Sequence, residues 1–197
     1  MSFYARRGKR ALDVAGALIM LPPAGVLMTA AAVAIRLEDG APVVYNSTRL
    51  GKDMKPFTLH KLRSMRVNAP DLRNADGSTY SAADDPRVTR VGRFLRKTSV
   101  DELPQLFNVL KGDMSLIGPR PSPAGHEHTY TEGFKRKFEV LPGITGYSQA
   151  LNRNSDSLQE RERTDTYYVN NVSLRLDAEI LWRTAVTVLT SRNLNRA

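Results

Sequence analysis

The sequence predicts an α+β protein, mostly helical, in which an N-terminal re-entrant membrane helix-hairpin is joined to a small cytoplasmic domain with a β-hairpin and interfacial helices. Three observations predict this arrangement. An uncharged apolar run from Val14 to Ile35 contains two prolines, a strand–turn–strand pattern follows near residues 43–62, and helical periodicity recurs after residue 88. At 197 residues the chain is long enough for one core and too short for two ordinary domains. We therefore expect a membrane segment over residues 1–37 and one functional unit over residues 38–197.

The apolar run is long enough to cross a bilayer. As one straight helix, residues 14–35 would extend roughly 33 Å at about 1.5 Å per residue. Pro22 and Pro23 lie inside the run, and each interior proline removes a helical hydrogen bond and clashes with the preceding turn, at about 3 kcal/mol or more. We expect a sharp bend there, so that the halves Val14–Leu21 and Ala24–Ile35 enter and leave the same leaflet as a re-entrant hairpin.

Positive charges flank the run on both sides. The cations before it are Arg6, Arg7, Lys9 and Arg10, and those after it are Arg36, Arg49, Lys52 and Lys55. By the positive-inside rule both ends are cytoplasmic, which favours the hairpin. A kinked helix that crosses the bilayer remains the alternative, whereas the length and the flanking cations disfavour a buried helix of a soluble protein.

The rest of the chain combines short strands, a loop and helices. Strands are predicted around Val43–Asn46 and Phe57–Leu62, with a Gly/Asp turn between them. The polar stretch 68–86, punctuated by proline and glycine, predicts a loop. Helical spacing predicts helices at Val88–Lys97, Glu127–Phe138, Asp156–Asn170 and Asp177–Thr190. The last of these carries the only tryptophan on an apolar stripe, which fits contact with the bilayer and packing against the core equally well.

Composition limits the chemistry. Cysteine is absent, so disulfides, thiolate metal sites and cysteine nucleophiles are excluded. The formal net charge of +9 predicts a polyanionic partner: nucleic acid, an anionic membrane surface or a phosphorylated substrate. Nucleic acid is the weaker choice, because the basic residues are scattered, aromatic residues make up only 7% and the chain has no nucleic-acid-binding motif.

The segment SVDELPQLFNVLKGDMSLIGPRP, residues 99–121, carries the main chemical signal. Ser99 and Glu102 match a capping box, and Pro104 suits the first turn of a helix, so these residues have a purely structural explanation. That explanation does not account for Asp101. A carboxylate at a helix N-terminus stays ionised where backbone N–H groups also hold phosphate, which suits a phosphoryl-transfer nucleophile. The adjacent Glu102 offers carboxylate oxygen to Mg²⁺ beside substrate phosphates.

Cations should converge on such a site, because phosphoryl transfer depends on positioning and charge neutralisation. The candidates are Lys61, Arg63, Arg96 and Arg120. Arg120 is the most suggestive, since the flanking Gly-Pro and Pro residues stiffen its backbone and its planar guanidinium suits bidentate phosphate binding. A structural turn at Gly-Pro-Arg-Pro remains the alternative.

Taken together, these motifs resemble the bacterial sugar transferase family, the small monotopic phosphoglycosyl transferases. The resemblance covers nearly the whole chain, in the order KRALD, HKLRSM, DELPQLFNVLKGDMSLIGPRP, LPGITGYSQA and DTYYVNNVSLRLD. It implies a catalytic domain on the cytoplasmic face of a bacterial cytoplasmic membrane, in contact with membrane lipid. It leaves open whether the chain forms a homodimer.

The resemblance implies a two-step reaction with Mg²⁺. A UDP-sugar donor and a polyprenyl (undecaprenyl) phosphate acceptor give UMP and a polyprenyl diphosphate sugar, the first membrane step of glycoconjugate assembly. Asp101 would attack the sugar-linked phosphorus and form a phosphosugar-aspartyl intermediate, and Glu102 would be associated with Mg²⁺.

Four cations match positions of the family. Arg96 and Arg120 match arginines that would contact phosphates, Lys61 matches the lysine of the family's hairpin motif, and Arg153 matches an arginine implicated in nucleotide contact. Two rival functions make different predictions. A basic membrane-attached scaffold predicts that Asp101→Asn leaves function intact, and a nucleic-acid binder predicts a steeply salt-dependent affinity.

The chain departs from the family pattern in three places. Pro22-Pro23 lie about one helical turn before the usual Ser-Pro break. Residues 151–154, Leu-Asn-Arg-Asn, replace the common Asn-Gly-Arg-Asn, and residues 60–65, His-Lys-Leu-Arg-Ser-Met, replace the commoner aromatic and Thr positions.

Overall fold

The computed structural model describes residues 4, 8–70, 72, 85–125, 127–151 and 158–190. The helices are α1 (Lys9–Asp39), α2 (Arg90–Thr98), α3 (Gln105–Lys111), α4 (Glu132–Lys135), α5 (Tyr147–Leu151), α6 (Leu158–Asn170) and α7 (Leu174–Thr190). The strands are β1 (Val44–Leu50), β2 (Pro56–Leu62), β3 (Ser115–Ile117), β4 (Ser122–Pro123) and β5 (Gly143–Thr145), and 3₁₀ turns cover Lys52–Met54, Val100–Glu102, Glu127–Thr129 and Arg136–Glu139. The described part of the chain is therefore a mostly helical α+β structure, as predicted.

Two small sheets support the helices. β1 and β2 form the predicted antiparallel hairpin, with Val44 opposite Leu62 and Leu50 opposite Pro56. β1 is longer than predicted, and its far end pairs with β4. β3 and β5 form a separate parallel pair. The hairpin therefore ends at Leu62, directly before the residues that meet α2.

α1 continues through Pro22 and Pro23 as one helix. The two halves expected from the sequence are thus joined in a single element, and the re-entrant path through a bilayer stays a prediction. Both prolines lie on the exposed side of the helix. Packing of the opposite face supports the helix where the prolines remove hydrogen bonds, because tertiary contacts routinely outweigh local propensity.

One face of α1 is buried along almost its whole length. Its inner positions recur every three or four residues, which is the spacing of one helical face: Asp13, Ala17, Leu21, Ala24, Met28, Ala31 and Ile35. Ala17 and Ala24 pack with Leu106, Val109 and Met114 from α3 and the following segment. Ala31 and Ile35 pack with Leu62 and Leu95 from β2 and α2. The small alanines let α1 approach the domain closely.

The N-terminal end of α1 is tied to the C-terminal helices through the buried carboxylate of Asp177. It accepts hydrogen bonds from the Tyr4 hydroxyl, from Lys9 Nζ at 2.8 Å and from the Tyr168 hydroxyl at 2.9 Å. The same hydroxyl lies 3.1 Å from the Ile117 carbonyl oxygen, so its one proton is shared between the two acceptors. Buried polar groups need such partners, so this network joins α1, β3, α6 and α7 into one unit.

The predicted helices are found with one exception. A single helix at Glu127–Phe138 is wrong, because the segment divides into two 3₁₀ turns and the short α4. Thr131 begins α4 by accepting a hydrogen bond from Phe134 N on its side-chain oxygen, and Phe134 and Phe138 turn inward to pack with Leu50. α7 begins before the predicted Asp177, at Leu174, after Ser173 accepts the Leu176 N–H.

Candidate active site

Asp101 lies on the 3₁₀ turn that connects α2 to α3. Ser99 ends α2 in the left-handed region, with φ at 60°, and this reversal directs the next residues inward. Asp101 is only 7% exposed, and no hydrogen bond or ion pair between described residues ends on its carboxylate. Burial raises the pKa of Asp101 to about 6, with Lys61 acting against the rise and Glu102 adding to it. Asp101 is a buried carboxyl whose charge depends on the cations around it.

Glu102 joins the nucleophile candidate to the β-hairpin. Lys61 Nζ lies 2.7 Å from Glu102 Oε1, and Arg120 Nη1 lies 3.5 Å from the same oxygen. The capping box expected from Ser99 and Glu102 is wrong. The 3₁₀ turn has no side-chain cap from Ser99, and α3 begins after Pro104. The Glu102 carboxylate instead faces cations.

Arg96 reaches the site from the last turn of α2. Its Nε donates a hydrogen bond to Ser64 Oγ at 2.9 Å. Burial lowers the pKa of Arg96, and the negative charges of Asp101 and Asp85 act against that change. An arginine stays protonated through such a shift. Its positive charge therefore favours the ionised form of Asp101.

Arg120 is held by the close packing of its neighbours against β5. Gly118 N donates to the Thr145 carbonyl at 2.9 Å, and Gly143 N donates to the Pro119 carbonyl at 3.0 Å. A methyl group at Gly118 would lie 2.4 Å from the Leu141 carbonyl oxygen, so only glycine fits there. The two prolines and this anchor fix the backbone of Arg120, while its side chain remains half exposed toward Glu102.

The structure brings Lys61, Arg96 and Arg120 around Asp101 and Glu102, and it places Arg63 elsewhere. The buried Arg63 guanidinium donates to the Asp39 and Gly40 carbonyls at 3.0 and 2.8 Å. It also pairs with the Asp39 carboxylate at 3.0 Å. Arg63 thus binds the C-terminal end of α1, and a phosphate-binding role for it stays a prediction. Arg153 lies outside the described residues.

The carboxylates at the site suit Mg²⁺ when substrate phosphates complete its coordination. The Glu102 carboxylate offers the oxygen ligands that Mg²⁺ prefers, and this ion usually takes one or two carboxylates together with water and substrate phosphates. Within the part of the chain that the structure describes, no group of three or more His, Asp or Glu side chains could hold a metal. A magnesium ion here would therefore depend on the substrate for part of its coordination.

Two features near the site were not foreseen from the sequence. Ser64 accepts the Arg96 hydrogen bond, and the only signal for it was a polar residue two positions after a strand. Lys137 and Asp165 form a buried ion pair at 3.2 Å, next to the packed ring of Phe134. A lysine and an aspartate so far apart in sequence carry no pairing signal. Both features become visible only when distant segments are placed together.

Comparison with known proteins points to one family. The sequence pattern described as "Bacterial sugar transferase" matches residues 4–191. An uncharacterized sugar transferase of Bacillus subtilis is 42% identical over 188 residues, which cover 95% of this chain and 90% of the relative.

Two further relatives carry more specific names. A UDP-N-acetylgalactosamine-undecaprenyl-phosphate N-acetylgalactosaminephosphotransferase of Aeromonas hydrophila is 41% identical over 92% of this chain, which spans only 44% of that relative. A UDP-glucose:undecaprenyl-phosphate glucose-1-phosphate transferase of Caulobacter vibrioides is 38% identical over 94% of this chain and 71% of the relative. The match over almost the whole chain, at such identities, shows that this protein belongs to the bacterial sugar transferase family.

Proposed function

We propose that this chain is a membrane-associated phosphoglycosyl transferase that moves a sugar-1-phosphate from a UDP-sugar to polyprenyl phosphate and releases UMP. The reaction passes through a covalent aspartyl-phosphosugar intermediate and is the first membrane step of glycoconjugate assembly. The names of the Aeromonas and Caulobacter relatives support the reaction class, since both name undecaprenyl phosphate and a UDP-sugar.

One observation carries the proposal: a buried carboxyl, Asp101, lies among the positive charges of Lys61, Arg96 and Arg120. Burying a carboxylate is costly for folding unless nearby positive charges or hydrogen bonds compensate it. Perturbed ionisable groups of this kind cluster at functional sites. The surrounding cations would stabilise both the ionised nucleophile and a diphosphate that approaches it.

In the first step, an Asp101 carboxylate oxygen forms a bond to the sugar-linked phosphorus of the UDP-sugar. The bond from that phosphorus to the bridging oxygen breaks, and UMP leaves with the electron pair. In the second step, a phosphate oxygen of the polyprenyl phosphate attacks the same phosphorus. The bond to Asp101 breaks, which restores the carboxylate and yields the polyprenyl diphosphate sugar.

The cations have separate parts in this scheme. Arg96 and Arg120 would bind phosphate oxygens through their guanidinium groups, and Lys61 would neutralise charge next to Glu102. Glu102 would hold Mg²⁺. The ion would supply neutralisation of the diphosphate charge when it is bound.

The outer face of α1 supports attachment to a membrane. Among the described residues, α1 is the one helix long and apolar enough to cross a bilayer. Its exposed side carries large apolar residues, among them Leu18, Ile19, Val26, Leu27, Val33 and Leu37. Because the inner face packs on the domain from Asp13 to Ile35, only this outer face is left for lipid. That arrangement favours a helix that dips into one leaflet over an independent span, and the cations on both flanks favour the cytoplasmic side for the domain.

The test is UMP release by protein held in nanodiscs, with Mg²⁺, undecaprenyl phosphate and a panel of UDP-sugars. We expect one donor to give UMP release, with turnover that needs the lipid acceptor. The Asp101→Asn variant should abolish this release. A folded, membrane-bound protein that accepts no donor would overturn the proposal. Retained turnover in Asp101→Asn would overturn the assigned nucleophile.

A further inference from the structure

Ser64 lies where the β-hairpin meets α2. It follows the last residues of β2, and its carbonyl accepts the Thr89 N–H at 3.1 Å, just before α2 begins. The next residue, Met65, forms a β-bridge with Val88. A methyl group at Gly92 would lie 2.0 Å from the Ser64 carbonyl oxygen, so the helix touches the backbone of this residue. The position of α2 relative to Ser64 is therefore fixed by backbone contacts.

The Ser64 side chain uses this fixed position to contact Arg96. Its Oγ accepts a hydrogen bond from Arg96 Nε at 2.9 Å, across one helical turn from the Gly92 contact. Ser64 is buried, so water competes little for this bond. Arginine has many rotamers of similar energy in solution. A bond to Nε defines the plane of the guanidinium group, and with it the direction of its other donors.

The same strand end orients both sides of the Asp101 carboxyl. Lys61, three residues earlier, contacts Glu102, and Ser64 contacts Arg96. Asp101 lies under the electrostatic influence of both cations. The hairpin therefore fixes the charged groups on either side of the candidate nucleophile, although the nucleophile itself comes from a different segment.

We propose that Ser64 is a positioning residue for the transfer reaction, which acts through Arg96 by holding its guanidinium plane toward the phosphate that meets Asp101. This inference rests on the proposed function. It assigns no chemical step to Ser64, whose hydroxyl stays bonded to Arg96. It predicts that the hydroxyl matters only as long as Arg96 is present.

The test compares variants in the nanodisc UMP-release assay. Ser64→Ala removes the acceptor and leaves the backbone contacts in place. Ser64→Thr keeps a hydroxyl. Ser47→Ala is a matched control, because Ser47 Oγ accepts a hydrogen bond from Arg49 Nε at 3.3 Å on β1, in a Ser–Arg pair of the same kind outside the site.

We expect Ser64→Ala to lower kcat roughly 10- to 100-fold with a smaller change in KM, since misplacement of a positioning group by about 1 Å costs rates of that order. Ser64→Thr should restore most of the activity and Ser47→Ala should leave it unchanged. The melting temperature of each variant shows whether a loss reflects unfolding.

A double-mutant cycle with Arg96→Ala decides whether Ser64 acts through Arg96. If it does, Ser64→Ala costs little more once Arg96 is absent, so the double variant resembles Arg96→Ala alone. Losses that multiply in the double variant would overturn the proposal, as would full activity in Ser64→Ala. A wild-type protein that accepts no donor would instead overturn the proposed function and, with it, the role given to Ser64.

Discussion

Lys61 Nζ lies 2.7 Å from Glu102 Oε1, across 41 residues of sequence, and this ion pair joins the β-hairpin to the turn that carries Asp101. Both side chains are mostly buried, with about a fifth of each exposed. Removing one partner of such a pair leaves a partly buried charge uncompensated, which costs more than breaking a surface salt bridge.

Replacing Lys61 should therefore impair catalysis. We expect Lys61→Met to lower kcat by roughly 100-fold or more, as the loss of one stabilising donor in a preorganised site does. Lys61→Arg should retain part of the activity because it keeps the charge. Steady-state UMP release measures both. Lys55→Met, in the exposed turn after β1, is the control and should behave as wild type. Equal activity in Lys61→Met and Lys55→Met would contradict the prediction.

Gly118 fixes the loop that presents Arg120, so Gly118→Ala should displace it. The added methyl group would lie 2.4 Å from the Leu141 carbonyl oxygen and 2.9 Å from Gly143 N. Both are backbone atoms, which cannot rotate away as the end of a flexible side chain could. We expect a loss of about 1–3 kcal/mol in the free energy of unfolding, together with a fall in activity.

The control for this change is Gly25→Ala in α1, where an added methyl group meets nothing within 4 Å. Thermal unfolding and UMP release of the two variants should differ clearly. A Gly118→Ala protein as stable and as active as Gly25→Ala would show that the loop yields easily.

Replacing one partner of the buried Lys137–Asp165 pair should lower the free energy of unfolding strongly, whereas replacing both partners together should lower it little. Burial lowers the pKa of Lys137, and Asp165 acts against that shift. Asp165→Leu alone leaves a buried ammonium group, so we expect it to cost roughly 3–5 kcal/mol in unfolding free energy. The double change Lys137→Met/Asp165→Leu should recover most of this loss, as measured by denaturant unfolding.

Glu132→Ala provides the control, since Lys135 and Glu132 form an exposed pair at 2.7 Å that should contribute less than about 1 kcal/mol. A double variant as unstable as Asp165→Leu would contradict the prediction, because the loss could then not be explained by an unpaired buried charge.

Asp85 should make stability depend on pH in the acid range. Hydrogen bonding from Arg87, with Nη2 2.6 Å from Asp85 Oδ2, lowers the pKa of Asp85 in the folded state. A carboxyl group whose pKa is lower in the folded state than in the unfolded state stabilises the fold at pH values above its unfolded pKa, near 3.9. This contribution disappears as the pH falls through the folded-state pKa.

The stability difference between wild type and Asp85→Asn should therefore stay constant from about pH 8 to pH 5 and shrink below about pH 4. Melting temperatures of the two proteins across this range measure it. A difference that grew toward acid pH would give the opposite sign and refute the assignment.

The absence of cysteine makes the path of α1 through a membrane directly measurable. Single cysteines can be introduced at Ser2, which precedes α1 in the sequence, and at the exposed Ala41, which follows it. A re-entrant helix predicts that a membrane-impermeant maleimide labels both from the cytoplasmic side. A spanning helix would place the two cysteines on opposite sides, and labelling from opposite sides would refute the re-entrant path.

Several features followed from local sequence signals. The β-hairpin followed from two short apolar segments separated by a Gly/Asp turn, and α2 and α7 followed from helical spacing, because neighbouring residues along the chain set these preferences. The sequence alone also identified the candidate site residues. Asp101 stood out because the capping-box pattern did not account for it, and Glu102 and Arg120 stood out because their side chains suit Mg²⁺ and phosphate.

The tertiary structure decided what these residues contact. Glu102 faces Lys61 in place of a capping box, Arg63 binds the end of α1, and Ser64 holds Arg96, all through segments far apart in sequence. The continuity of α1 through its prolines was also decided by packing of its inner face. Local propensities are worth about 1–3 kcal/mol each, which burial of a whole helix face exceeds. The sequence by itself thus determined most of the helices and strands and the chemical type of each candidate side chain, and the packing of distant segments determined what those side chains contact.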